Sequence, residues 1–421
     1  MVTPPVSWSG RFLRSNRKTL PMRGEVIAIG DELTSGQRLD TNSQWLSERL
    51  DEMGVEVMFH TTVGDDLAAN INVFRAAIER ADVVVASGGL GPTADDLTRQ
   101  AIADAFAAPL VEDARMLEQI RELYAKRGRE MPERNRLQAQ FPEGAEPIAN
   151  PNGTAPGIAM QVARVAQTPC YLFALPGVPA EMYEMWSATV APAVRAVQPA
   201  PQVTVHRRIK CFGTGESNLE AMLPDLIRRG RQPRVGITAS KATLTLRVTA
   251  TGADRPACEA AMGPTLATIY AAVGDLAFGE QEDELQHVVV RLLAERGQTL
   301  VVTDGATGGL LGGWLVTADT DQQVLVAAHT ERSAPPNEAD SAALAASQRE
   351  ARGADYALVV GRPQATGHAD DGTAPIALAT AAGTTTVSYT TAGHPSIVKD
   401  RLAKQALDVV RRQLLGLTPL S

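Results

Sequence analysis

The sequence predicts an α/β protein whose first half is a right-handed, mostly parallel sheet, followed by further domains. Three observations carry that prediction. Short β-branched runs alternate with helical stretches from Glu25 onward, the pattern of βαβ units. The loops after three successive strands each hold acids and glycine, and ligands of such sheets lie beyond the carboxyl ends of the strands. At 421 residues the chain exceeds one compact core, so two or three domains are expected.

The first strand is Glu25 to Ile29, ending in the loop Gly30-Asp31-Glu32-Leu33-Thr34-Ser35-Gly36. A helix follows, with Thr41 and Gln44 at capping-box spacing and Leu46, Leu50 and Met53 on one face. Val55 to Phe59 is the second strand, leading to Thr62-Val63-Gly64-Asp65-Asp66, and Leu67, Ile71, Phe74 and Ile78 mark the next helix. Val83 to Ala86 is a buried-type strand broken by Ser87-Gly88-Gly89-Leu90-Gly91-Pro92. Glycines there let the backbone turn sharply and bring amides close to an anion. From Thr93 the pattern turns helical, with Thr93 and Asp96 spaced as a capping box and Leu97, Ala101, Ile102 and Phe106 on the apolar side. Strand, glycine loop, helix start and the carboxylates Asp95 and Asp96 fit a phosphate-and-metal site. They fit equally an ordinary βα turn whose acids complement the helix dipole. Two later loops, Asn150 to Gly157 and Pro176-Gly177-Val178-Pro179, follow the same style; Tyr171 to Leu175 is a strand and Glu181 opens a helix.

Composition narrows the class. The net charge of −8 argues against general nucleic-acid binding. Cys170, Cys211 and Cys258 are far apart and odd in number, which points to a reducing, cytoplasmic compartment without a disulfide framework or zinc site. No apolar run is long enough to cross a bilayer. Residues 1–22 carry Arg11, Arg14, Arg17 and Lys18 with no long apolar stretch. They read as a disordered basic extension, with Met22 expected as the true start of translation.

The segments GDELTSG, DTNS, SGGLGPTADDLT, NPNGTAPG and ALPGVPAEM resemble, in order and spacing, the competence/damage-inducible protein CinA family over residues 24 to about 195. The resemblance implies a three-layer molybdopterin-binding-protein fold over residues 23–196. It also implies a divalent cation (magnesium or cobalt), a homodimer, and hydrolysis of the diphosphate of ADP-ribose to AMP and ribose 5-phosphate. On that basis Asp95 and Asp96 are the candidate metal ligands, and Asp96, Asp95 and Asp65 the candidate catalytic acids. The amides of Gly88, Gly89 and Gly91 are expected to hold phosphate oxygens at a helix start. Asp31, Glu32, Ser35 and Asn42 are assigned to sugar hydroxyls or the base. Gly30, Thr93, Gly153, Thr154, Gly177 and Glu181 complete the expected substrate-binding set. Two other readings stand beside this one: molybdopterin binding or adenylylation, and a non-enzymatic scaffold linked to competence or DNA damage.

After a Pro/Ala/Val/Gln linker, residues 203–279 resemble the KH-type middle domain of the same family, best over RRIKCFGTGESNLEAML. The stretch Phe212-Gly213-Thr214-Gly215-Glu216-Ser217 lacks the GXXG clamp for a nucleic-acid backbone, and Glu216 adds a repelling charge. The basic run Arg228, Arg229, Arg231 and Arg234 reads as a solvated face, and the segment as a packing element. Residues 282–418 resemble the family's nicotinamide-mononucleotide deamidase domain, an α/β fold. Where that domain has Glu-Ser-Cys-Thr-Gly-Gly, this chain reads Asp304-Gly305-Ala306-Thr307-Gly308-Gly309. Glycine at 305 has no oxygen to attack an amide, so the serine's covalent route is lost. A repurposed pocket using Asp304, His329 or His368 is the sharper alternative to an inactive domain. The full-length protein is expected to release no ammonia from nicotinamide mononucleotide; an ammonia signal that scales with protein concentration would contradict this.

Overall fold

A computed structural model describes residues 22–198, 200–228, 230–365, 372–390 and 395–418. The basic extension, Arg229 and His368 lie outside the described residues. The chain divides into two compact units. The first takes the described residues up to Thr204 together with Thr251–Cys258, and the second holds Val205–Ala250 and Glu259 onward.

The first unit is built on a six-stranded sheet. In chain order its region contributes β1 (Arg23–Ile29), β2 (Glu56–Val63), β3 (Val83–Ser87), β4 (Leu110–Glu112), β5 (Gln140–Pro142), β6 (Glu146–Ile148), β7 (Gly157–Val162) and β8 (Cys170–Leu175). The sheet order is β2-β1-β3-β8-β7-β6, while β4 and β5 pair separately. The four strands β2, β1, β3 and β8 are parallel; β7 runs against β8, and β6 against β7, so β6 shares the direction of the four. Alternation along buried strands feeds two cores. Ile27, Val84 and Ala86 face Phe74, Ile78 and Ile102 on one side. Val26, Val83 and Val85 face Leu46, Leu50, Met182 and Trp186 on the other. Helix, sheet and helix thus form three layers, and the loops after β1, β2, β3 and β8 all leave at the carboxyl end.

Local details depart from the sequence reading. The helix Thr41–Glu52 is capped by Asp40, whose carboxylate accepts from the Ser43 amide at 2.9 Å, one residue before the expected Thr41. Strand β2 runs to Val63, beyond the expected Phe59, because β1 pairs with it along its whole length. Glu25 is fully buried and is met by the Arg80 guanidinium at 2.7 and 2.6 Å, with the Thr61 hydroxyl at 2.7 Å. That bidentate pair ties β1 to the end of helix Leu67–Arg80 and leaves no bare charge inside.

The second unit contains two sheets. β9 (Val203–Cys211), β10 (Arg234–Ser240), β11 (Thr243–Gly252) and β12 (Ala277–Glu280) assemble in the order β10-β11-β9-β12. β13 (Leu300–Asp304), β14 (Leu325–Thr330), β15 (Tyr356–Val360), β16 (Gln364–Ala365), β17 (Gly372–Thr380) and β18 (Gly383–Thr390) form the other. Its order is β14-β13-β15-β17-β16, with β18 on β17. The middle segment is not a free-standing body. Phe212 and Phe278 join the core made by Leu285, Val302, Leu358 and Leu407. The buried Lys404 ammonium meets Glu284 at 2.8 Å and also donates to the Thr243 hydroxyl. Arg228 pairs with Asp225 and Arg231 donates to Pro233 and Thr265, so part of the basic run serves the chain's own structure. Among the described residues, no helix is long and apolar enough to cross a membrane.

Candidate functional site

Strand β3 ends at Ser87, and the next residues turn at once: Gly88 has φ +114° and Gly89 φ +63°. A side chain at Gly88 would run into the Ile29 carbonyl, so only glycine permits this approach between neighbouring strand ends. Three successive carbonyls of the loop are then drawn to one side. Gly88 accepts from the Thr98 hydroxyl at 2.9 Å and Gly89 from the Thr98 amide at 3.2 Å. Leu90 accepts from Arg99 at 2.8 Å and from Gln138 at 3.4 Å. In a trans peptide the next residue's N–H points opposite to the carbonyl. The amides of Gly89, Leu90 and Gly91 therefore face the other way. Those of Gly89 and Leu90 donate to no described residue.

This corrects the expected anion cradle. The Gly88 amide is spent on the Leu175 carbonyl at 3.0 Å, and the Gly91 amide on Asp96 at 2.7 Å. Of the three glycine amides, only that of Gly89 is free, and Leu90 supplies the second. The helix also starts later than expected. It runs from Thr98 to Phe106, and Thr93 to Leu97 form a turn before it. Asp96 builds that turn: it accepts from the amides of Gly91 and Thr93, at 2.7 and 2.9 Å, and from the Thr93 hydroxyl. Its Oδ1 accepts one of these hydrogen bonds and its Oδ2 the other two.

The remaining acids lie on the neighbouring loops. Asp31 and Asp65 grip one another, each carboxylate accepting the other's amide at 3.0 Å, which joins the loops after β1 and β2. Burial pushes the Asp65 carboxyl above its ordinary value, and the charges of Asp31, Asp95 and Glu32 push the same way. Asp95 is exposed. Among the described residues, no three His, Cys, Asp or Glu side chains converge as a metal cage. Magnesium needs no such cage, because one or two carboxylates and the substrate's own phosphates suffice. Asp31, Glu32, Asp65 and Asp95 are the carboxylates these loops would offer such a cation.

Beside these groups lies a pocket of about 40 Å³ whose lining includes Ile29, Glu32, Arg38, Asn42, Ser87 and Gly177. Asn42 donates to the Ser87 hydroxyl at 3.0 Å and to the Gly177 carbonyl at 2.9 Å, holding the loops after β3 and β8 together. Its own carbonyl oxygen is buried and accepts from no described residue. Gly30 ties its loop to β2 through the Val63 carbonyl at 3.0 Å. Glu181 accepts from Asn150 at 2.7 Å, and the Asn150 carbonyl in turn accepts the Gly153 amide at 2.8 Å, so Glu181 shapes the loop holding Gly153 and Thr154. Ser35 is exposed and does not line the pocket. Arg38, Ser87, Thr98, Arg99 and Gln138 were not among the expected residues. Only Ser87 and Thr98 carried a signal, as the two ends of the SGGLGPTADDLT segment.

In the second unit, Asp304 is buried and turned into its own loop. It accepts from the amides of Ala306, Thr307 and Gly309 at 3.0, 2.7 and 2.8 Å, and from the Thr307 hydroxyl. A Cβ at Gly305 would press on Ala334 and on the Val360 carbonyl. A cavity of about 220 Å³ opens beside Gly309, Gly312, Val316, Ala328, His329 and Thr330. His329 meets the Arg352 guanidinium at 3.1 Å.

Asp96→Ala is expected to free two loop amides and lower the stability of the first unit by about 1–3 kcal/mol, with faster hydrogen exchange at Gly91 and Thr93. An unchanged melting temperature and exchange pattern would remove Asp96 from its role as loop builder.

Residues 25–196 match the family model described as a probable molybdopterin binding domain, and residues 206–279 the damage-inducible protein CinA KH domain. A CinA-like protein of Frankia casuarinae is 37% identical over 427 residues, covering 94% of this chain and 97% of its own length. A putative competence-damage inducible protein of Symbiobacterium thermophilum is 35% identical over 431 residues, covering 94% and 99%. Among solved structures, the protein CinA of unknown function from Thermoplasma acidophilum is 34% identical, with a TM-score of 0.37 over 41% of this chain and 98% of that one. With a molybdopterin-binding-like domain, a KH-type domain and relatives that match it nearly end to end, the chain belongs to the CinA family.

Proposed function

We propose that the first unit hydrolyses the diphosphate of ADP-ribose, with a divalent cation, to AMP and ribose 5-phosphate. One observation supports the reading: the loop after β3 leaves the Gly89 and Leu90 amides without a partner among the described residues, and the loops after β1 and β3 bring the charges of Asp31, Glu32 and Asp95 to bear on Asp65. Amides receive phosphate oxygens and acids receive a cation, and a diphosphate needs both. The Gly89 and Leu90 amides hold phosphate oxygens, while Asp95 with Asp65 holds the cation. When bound, that cation neutralises phosphate charge and lowers the pKa of the attacking water. As water's oxygen bonds to phosphorus, the bridging oxygen leaves with the other phosphate and water's proton passes to solvent. Asn42 offers its unused carbonyl oxygen to a hydroxyl or amine donor of the substrate.

A second reading is favoured by the description of the matched model, which names molybdopterin. The two separate by thermal protection, since ADP-ribose protects the protein under the first and molybdopterin under the second.

Incubation with ADP-ribose and magnesium or cobalt is expected to give equal amounts of AMP and ribose 5-phosphate, and none with a chelator. Asp95→Asn and Asp65→Asn are each expected to slow the reaction at least about 100-fold. Absence of product with either cation would overturn the reading. The pH dependence has a definite sign. Because Asp65's folded pKa lies above its ordinary 3.8, its stabilising contribution is complete below that value and lost as pH rises through the folded pKa. Bound magnesium offsets that loss, so the melting shift it produces grows as pH rises through this range and flattens in Asp65→Asn. A shift independent of pH would separate Asp65 from the cation.

A further inference from the structure

Arg99 breaks three rules at once. It is the second residue of helix Thr98–Phe106, where the helix dipole disfavours a cation. It is 5% exposed yet forms no ion pair with a described carboxylate. Its guanidinium is satisfied only by two carbonyls, Leu90 at 2.8 Å and Pro156 at 3.3 Å, and its Nε has no partner among the described residues. Burial draws its pKa down to about 10, against the pull of the nearby Asp96, so it stays charged at neutral pH. Uncompensated buried charge is costly, and folds retain such violations mainly at functional sites.

We propose that Arg99 is a positioning residue for the ligand's diphosphate: a charge built in beneath the glycine loop that an incoming polyanion balances. This rests on the diphosphate reading given above. Through Leu90 the guanidinium turns the loop amides outward, and through Pro156 it fixes the neighbouring Asn150 to Gly157 loop to the same point. In a poorly screened interior its charge reaches the anion without touching it. The chemical class it selects is a phosphate chain, whatever the attached sugar or base.

The test measures melting shifts with pyrophosphate, ADP, ADP-ribose and uncharged adenosine at fixed magnesium, and KM and kcat for ADP-ribose. Arg99→Met fills the space with an apolar chain, so the free protein is expected to melt at or above the wild-type temperature. Its response to the three anions is expected to vanish and KM to rise at least tenfold, with kcat changed less and adenosine unaffected. Should Arg99→Met not fold, Arg99→Lys keeps a charged donor at this position and Arg99→Gln a neutral one. Lys is expected to stay within about threefold of wild type in KM, and Gln to lose tenfold. A folded Arg99→Met that responds like wild type, or equal KM values for Lys and Gln, overturns the inference and leaves the diphosphate reading intact. A wild-type protein blind to all three anions removes both.

Discussion

The direction of three peptide groups governs what the first unit can offer a ligand. With Gly88, Gly89 and Leu90 all showing their carbonyls inward, the following amides have no choice of side. The donors that enforce this come from Thr98, Arg99 and Gln138, and these in turn are set by packing. Ile102 and Ala101 anchor the helix that presents Thr98 and Arg99, and Ala139 and Phe141 hold the segment bearing Gln138 in the same core. A buried carbonyl without a partner would cost about 1–3 kcal/mol, so each of these contacts both stabilises the loop and aims it. Core, loop and amide orientation are one chain of cause.

Much of this was legible in the sequence. The run Val83 to Ala86 and the spacing of Leu67, Ile71, Phe74 and Ile78 announced a buried strand and an amphipathic helix, because burial on one face imposes those periods. The loops with chemistry were recognisable as loops, since glycine and proline interrupt both periods. Harder to read was which atoms inside a loop are already used. Asp96 sits at capping-box spacing from Thr93, yet it closes a turn, and the helix waits for Thr98. Spacing alone does not separate the two, because both satisfy the same amides. Gln138 reaches Leu90 across 48 residues, and no local pattern encodes such a partner. The link between the middle segment and the last domain was hidden for the same reason: Phe212 and Phe278 read as ordinary apolar residues until the partner core is in view.

The loop also separates charge. Acids that repel one another, Asp31, Glu32, Asp65 and Asp95, belong to the loops after β1 and β3 and to the β2 end, while the buried guanidinium of Arg99 lies under the glycines. The cation and phosphate proposed for this unit carry the same arrangement of signs reversed. Complementarity of that kind needs little side-chain movement on binding, and preorganised charge is worth most where water is excluded.

Ala334 and the Val360 carbonyl have closed over the space beside Gly305 in the second unit, so any side chain there would meet a wall, and a serine would need the strand end and the 334 region to retreat together. Each of those movements is unfavourable without the other. The position is therefore held to glycine by what is packed against it, a constraint that no backbone angle of its own imposes.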